Sequence, residues 1–187
     1  MAGVAVGFSV HTGWAAAVVV AGTPRAPRVL ARERVALVDG NRFVYHAAQE
    51  LDLPRAEELV AGAAATAKAR AAEALQRLRR EHDVRACAVV GSGTPAPTEL
   101  AAIVRSHALI HAAEGRLYRD ALLAGAKQAR VAATPFAAKA LDDIAAGALG
   151  ADAGLVAGVG KAIGPPWSKD QRIAALAAWV VLAVTPG

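Results

Sequence analysis

Hydrophobic and polar positions follow two periods along this chain, and the changes of period mark its elements. Val4 to Ser9 is a short apolar run, His11-Thr12-Gly13 is a turn, and Trp14 to Ala21 is a second apolar run. Both runs have the length of strands. Gly22-Thr23-Pro24-Arg25-Ala26-Pro27 predicts a loop, because two prolines and a glycine deny it a ladder. From Arg28 to Val38 the pattern alternates. Val29, Val35 and Leu37 share one parity, and Arg28, Arg32 and Arg34 the other, so the third strand is expected to have one wet face. Three runs at hairpin spacing predict an antiparallel meander.

After Asp39-Gly40 the period becomes helical. Asn41 to Leu53 predicts one helix, and Pro54 suits the first position of a second that runs to about His82. Ala63, Ala64, Ala67, Ala71 and Ala74 give this second helix a small-residue stripe, anchored by Leu59, Leu75 and Leu78. Glu73 and Arg77 are spaced to pair on it. Val84 to Val90 is an unbroken apolar run, as a buried parallel strand requires. Gly91 to Pro97 is a loop, and Thr98 is placed to cap one long helix ending at Arg130. Arg130 to Ala133 predicts a short strand, and Pro135 opens a helix to about Leu149. A Gly-punctuated helix over Ala151–Ile163 follows, then a rigid turn at Gly164-Pro165-Pro166-Trp167 and a last helix, Lys169–Val184, capped by Ser168. The order β-β-β-α-β-α-β-α-α implies an α/β fold. Its five-stranded mixed sheet has three antiparallel strands, two parallel additions and helices on both faces.

Composition adds bounds. At 187 residues, 55% hydrophobic and 20% charged, the chain is expected to be one ordered domain, residues 1–187. The net charge of +5 is compatible with an anionic partner, although an Arg-rich solvated surface is favoured. Cys87 is the single cysteine, which excludes an internal disulfide and any Cys-based metal motif. The N-terminus has no basic n-region, and the apolar run from Ile173 to Val184 is too short to span a bilayer, which needs about 20 residues. A cytoplasmic protein without a membrane partner is expected.

The polar positions that break the pattern are the candidates for chemistry. His107, His111, Glu114 and Tyr118 stand at i, i+4, i+7 and i+11, in the middle of the apolar stripe Leu100, Ile103, Val104, Ile110, Leu117, Ala121 and Leu122. Aimed inward, they either line a cleft or form a satisfied internal network, because unpaired burial is costly. His107, His111 and Glu114 have metal-like spacing, yet three groups from one helix fall short of a complete site. Ser9 and His11 lie at the end of the first strand, and Asp170 is the acid that the last helix would bring to them. The alternative for this pair is an ordinary strand serine and turn histidine. Gly91-Ser92-Gly93 lies where a phosphate could be cradled, but Pro95 and Pro97 remove donors and a plain loop is favoured. Gly158-Val159-Gly160-Lys161 lacks the spacing of a nucleotide-binding loop. Lys169 and Arg172 could touch phosphate near Asp170, or simply be solvated.

Three segments resemble RuvC-type Holliday-junction resolvases of the ribonuclease H-like superfamily. Gly7-Phe8-Ser9-Val10-His11-Thr12-Gly13-Trp14-Ala15 looks like the resolvase opening, in which a first-strand Asp precedes a Gly-rich turn. Ala112-Ala113-Glu114-Gly115 is similar to an Ala-Arg-Gly step in the helix after the fourth strand, and Asp170 to Ala177 to the closing Asp-x-x-Asp-Ala helix. The resemblance implies strand order 3-2-1-4-5 with the fourth strand parallel to the first. It also implies two Mg²⁺ ions held by carboxylates of the first strand, the fourth strand and the last helix. Here those positions read Ser9, Val90-Gly91, Asp170 and Ile173, so one acid remains. The expectation is therefore a catalytically degenerate RuvC-like domain acting as a binding or scaffold module for nucleic acid or a protein partner. The alternative is an enzyme of other chemistry using a His/Glu/Asp cleft of His11, His107, His111, Glu114 and Asp170. A nucleotide-binding relative of the actin-like ATPases is a third reading. The sequence names no cofactor and leaves a homodimer open.

Overall fold

The computed structural model of the chain describes residues 3–23, 25–95 and 97–184. Pro24 and Ala96, in two of the expected loops, lie outside the described residues, as does the side chain of Lys161. Five strands form one sheet in the order β3-β2-β1-β4-β5. They are β1 (Gly3–His11), β2 (Trp14–Thr23), β3 (Ala26–Ala36), β4 (Ala86–Gly91) and β5 (Ala132–Ala137). β1, β2 and β3 are antiparallel neighbours, and β4 and β5 add in parallel to β1. This is the expected sheet.

Helices cover both faces. On one lie α1 (Val44–Gln49), α2 (Leu53–His82) and α4 (His107–Gln128), preceded by the single turn α3 (Leu100–Ile103). Their core includes Val6, Phe8, Leu75, Leu78, Val89, Ile110, Tyr118 and Leu122. On the other lie α5 (Leu141–Leu149) and α7 (Lys169–Val184), around Ala5, Val18, Val90, Leu141, Ala174, Ala178 and Trp179. Residues 150–163 form short 3-10 turns around α6 (Val156–Val159), in place of the expected continuous helix. Among the described residues no helix is long and apolar enough to cross a membrane.

Small residues set how closely the layers approach. A Cβ on Gly7 would fall 1.8 Å from the Ala174 carbonyl oxygen, so α7 rests its backbone directly on β1. On the opposite face a Cβ on Gly125 of α4 would come within 2.7 Å of Ala71 on α2, where the alanine stripe lies. The stripe is narrower than expected: Ala67, Ala71 and Ala74 are buried, whereas Leu59 is exposed. Arg77 pairs with Glu33 and Glu81 instead of Glu73, which the β3 edge makes available. Asp52 caps α2 through Arg55 N at 3.1 Å, and Ser168 and Gln171 exchange reciprocal hydrogen bonds at the start of α7.

Several boundaries differ from the pattern reading. Gly22 and Thr23 pair with Pro27 and Ala26, so the expected loop is mostly ladder. Pro27 and Pro135 lie on the two edge strands, where a missing N–H is tolerated. The β2–β3 register shifts between Val19 and Val20. The shift inverts parity along β3: Val35 faces the α2 core while Val29 packs on the α7 core. The expected wet face is also partly dry, because Arg32 donates to the carbonyls of Gly164 (2.9 Å), Pro165 (3.1 Å) and Pro166. Asn41 Oδ1 accepts from Phe43 N at 2.9 Å, which holds 41–43 out of helix and shortens α1. The expected long helix is broken at 104–106, so α4 starts at His107, with Ser106 rather than Thr98 before it.

Candidate functional site

β1 and β4 run side by side with Ser9 opposite Val90, and both side chains face α7. Ser9 is buried, and β4 closes with Gly91. A Cβ on Gly91 would meet the Arg119 stem at 3.2 Å, so an arginine from α4 lies against the end of this strand. From the first turn of α7, Asp170 Oδ1 comes 3.1 Å from His11 Nε2. Its geometry makes this a close polar contact rather than a well-aligned hydrogen bond, since Nε2 has no hydrogen-bond partner among the described residues. Ile173, one turn on, packs into the α7 core. Ser9, His11 and Asp170 are thus gathered at one end of the sheet.

An aromatic stack extends this end. His11 and Trp14 are opposite each other across the β1–β2 turn, with ring centroids 4.2 Å apart and planes 8° from parallel. The Arg34 guanidinium lies 3.9 Å from the Trp14 ring. Trp14 and Arg34 were not among the residues singled out from sequence, although a two-residue turn between His11 and Trp14 makes them cross-strand partners. Lys169 is exposed beside Asp170, and Arg172 is exposed and donates to Trp167 O at 3.0 Å.

The polar row on α4 divides. Glu114 and Tyr118 are buried, while His107 and His111 are exposed. The segment 42–46 reaches both buried residues, through the Arg42 carbonyl and His46. Tyr118 donates to Arg42 O at 2.6 Å, and burial pushes its hydroxyl pKa up to about 12, so it stays a donor. Burial also raises the Tyr45 pKa, opposed by Arg116. Glu114 Oε1 lies 2.9 Å from His46 Nδ1, within hydrogen-bond distance, while Oε2 has no hydrogen-bond partner among the described residues. His46, on α1, brings its ring to within 5.4 Å of His107 and 4.9 Å of His111, centroid to centroid. The third histidine therefore comes from α1, and Glu114 stands behind it instead of beside His107 and His111. His46 carries no periodic signal in the sequence, which is why it was missed.

No family model and no curated protein matches this chain. Solved structures do. The chain is similar to Thermus thermophilus RuvC in complex with a Holliday junction substrate: TM-score 0.59, 17% identity, 97% of this chain and 93% of that one covered. It is likewise similar to a second Thermus thermophilus RuvC structure: TM-score 0.58, 18% identity, with 96% and 93% covered. The chain has the RuvC-like ribonuclease H fold. At this identity the likeness carries the fold alone.

Proposed function

We propose that this chain is a RuvC-like domain that binds nucleic acid and lacks two-metal cleavage. The observation that supports this reading is the donor set at the end of β1, β4 and α7. Two hard dications about 4 Å apart need several anionic oxygens. The side chains at this end of β1, β4 and α7 are a buried serine, a valine, an isoleucine and one aspartate. That aspartate already faces an imidazole, and an arginine stem covers Gly91. These residues do not fit a pair of Mg²⁺ ions. Arg34, Lys169 and Arg172, all exposed, suit a phosphate backbone.

The alternative of a single His/Glu/Asp cleft finds less support. His11 and Asp170 sit on the α7 face, whereas His107, His111 and Glu114 belong to α4 on the other. The test is a pair of assays on the full chain with a four-way DNA junction. Binding that weakens steeply with salt, and no cleavage with Mg²⁺ or Mn²⁺, is expected. Metal-dependent cleavage abolished by Asp170→Asn would overturn the reading.

A further inference from the structure

The geometry points to a metal site away from the cleft: His46, His107 and His111 form a three-imidazole site for a zinc-class divalent cation, with Glu114 positioning His46. One ligand nitrogen from each histidine lies within 4.8 Å of the other two. Three ligands around a tetrahedral ion at 2.0–2.1 Å stand about 3.3 Å apart, so modest side-chain rotations close the set. Two of the rings are exposed and free to make that adjustment. Three of the chain's five histidines meet here, from two helices.

Glu114 is the independent observation. A buried carboxylate with one oxygen unpartnered is costly in an apolar interior, and this one spends its other oxygen on a histidine. That contact fixes the Nδ1–H form of His46 and leaves Nε2 as the nitrogen able to bind a cation. A carboxylate–histidine pair of this kind is how metal sites orient a ligand and raise its basicity. Three neutral imidazoles suit zinc and its neighbours better than Mg²⁺, which prefers oxygen. The exposure of His107 and His111 leaves the fourth coordination position open to water or an anionic ligand. The site stands on α1 and α4, so it does not depend on the reading of the cleft.

The test uses the full chain, free of affinity tag and stripped of metal, titrated with Zn²⁺ against a chromophoric chelator. Co²⁺ absorption is the second readout. One Zn²⁺ per chain and a four-coordinate Co²⁺ spectrum are expected. His107→Ala and His111→Ala, both at exposed positions, abolish one-to-one binding and leave the metal-free melting temperature unchanged. Glu114→Gln weakens Zn²⁺ binding about 10–100-fold. One-to-one binding that survives the double histidine variant would overturn the site, as would no binding by the unaltered chain. Unchanged affinity in Glu114→Gln would overturn the positioning role. Loss of binding on Asp170→Asn, with the trio intact, would assign the metal to the cleft instead.

Discussion

Two polar clusters stand on opposite faces of the same sheet, and they are built by opposite means. The Ser9/His11/Asp170 end depends on α7 lying backbone-to-backbone on β1 at Gly7, so its geometry is fixed by a close main-chain contact. The His46/His107/His111 group depends on the tips of side chains from a short helix and the first turns of a long one, largely in solvent. The first cluster is rigid but poor in ligand atoms; the second is rich in ligand atoms and adjustable. Its rigid part is set back, in the buried Glu114 that aims His46. The contrast separates two requirements of a site, a fixed frame and a suitable donor set, and each cluster supplies one of them most fully.

The comparison breaks first at Gly7. Gly7→Ala should destabilise the chain by about 3 kcal/mol or more, because the new methyl meets a main-chain carbonyl that cannot move without lifting α7. Gly125→Ala should cost about 1–3 kcal/mol, since the α2–α4 contact is close as well. Urea unfolding of both measures the difference; equal values would mean that the two faces are equally rigid. Glu114→Gln sharpens the other side. It keeps the shape and removes a buried charge with an unpartnered oxygen, so the metal-free chain should be unchanged or more stable by about 1 kcal/mol. With saturating Zn²⁺ the order should invert, because the unaltered chain gains more from the ion. Thermal melts with and without Zn²⁺ read both. The smallest stability effect belongs to His11–Asp170, a part-exposed pair. A double-mutant cycle with His11→Asn and Asp170→Asn should return less than about 1 kcal/mol. Cys87 is the control common to all: burial pushes its thiol pKa up to about 12, so it should resist alkylation until the chain unfolds.

Much of this was legible in the sequence, and the misses have physical causes. The meander and the buried parallel strand followed from three hairpin-spaced runs and the unbroken apolar run at Val84–Val90, whereas the strand order came from the resemblance to RuvC-type resolvases. The parity of β3 was not legible, since the bulge that inverts it depends on pairing with β2. Pro27 read as a loop residue and Pro135 as the start of a helix, although β5 runs to Ala137 and α5 starts at Leu141, because edge position is a tertiary fact. On α4, spacing put His107, His111, Glu114 and Tyr118 on one face, but Glu114 and Tyr118 are buried and the two histidines exposed, a division that spacing alone does not encode. His46 joins them only through the packing of α1, which no period in its own segment encodes.

The most direct test of the account is anomalous diffraction from crystals of the full chain soaked in Zn²⁺ and, separately, in Mn²⁺. A zinc peak is expected among His46, His107 and His111, and no paired manganese peaks beside Ser9, Val90 and Asp170. Two manganese ions at that end of β1 and β4, or zinc bound anywhere but the histidine trio, would contradict it.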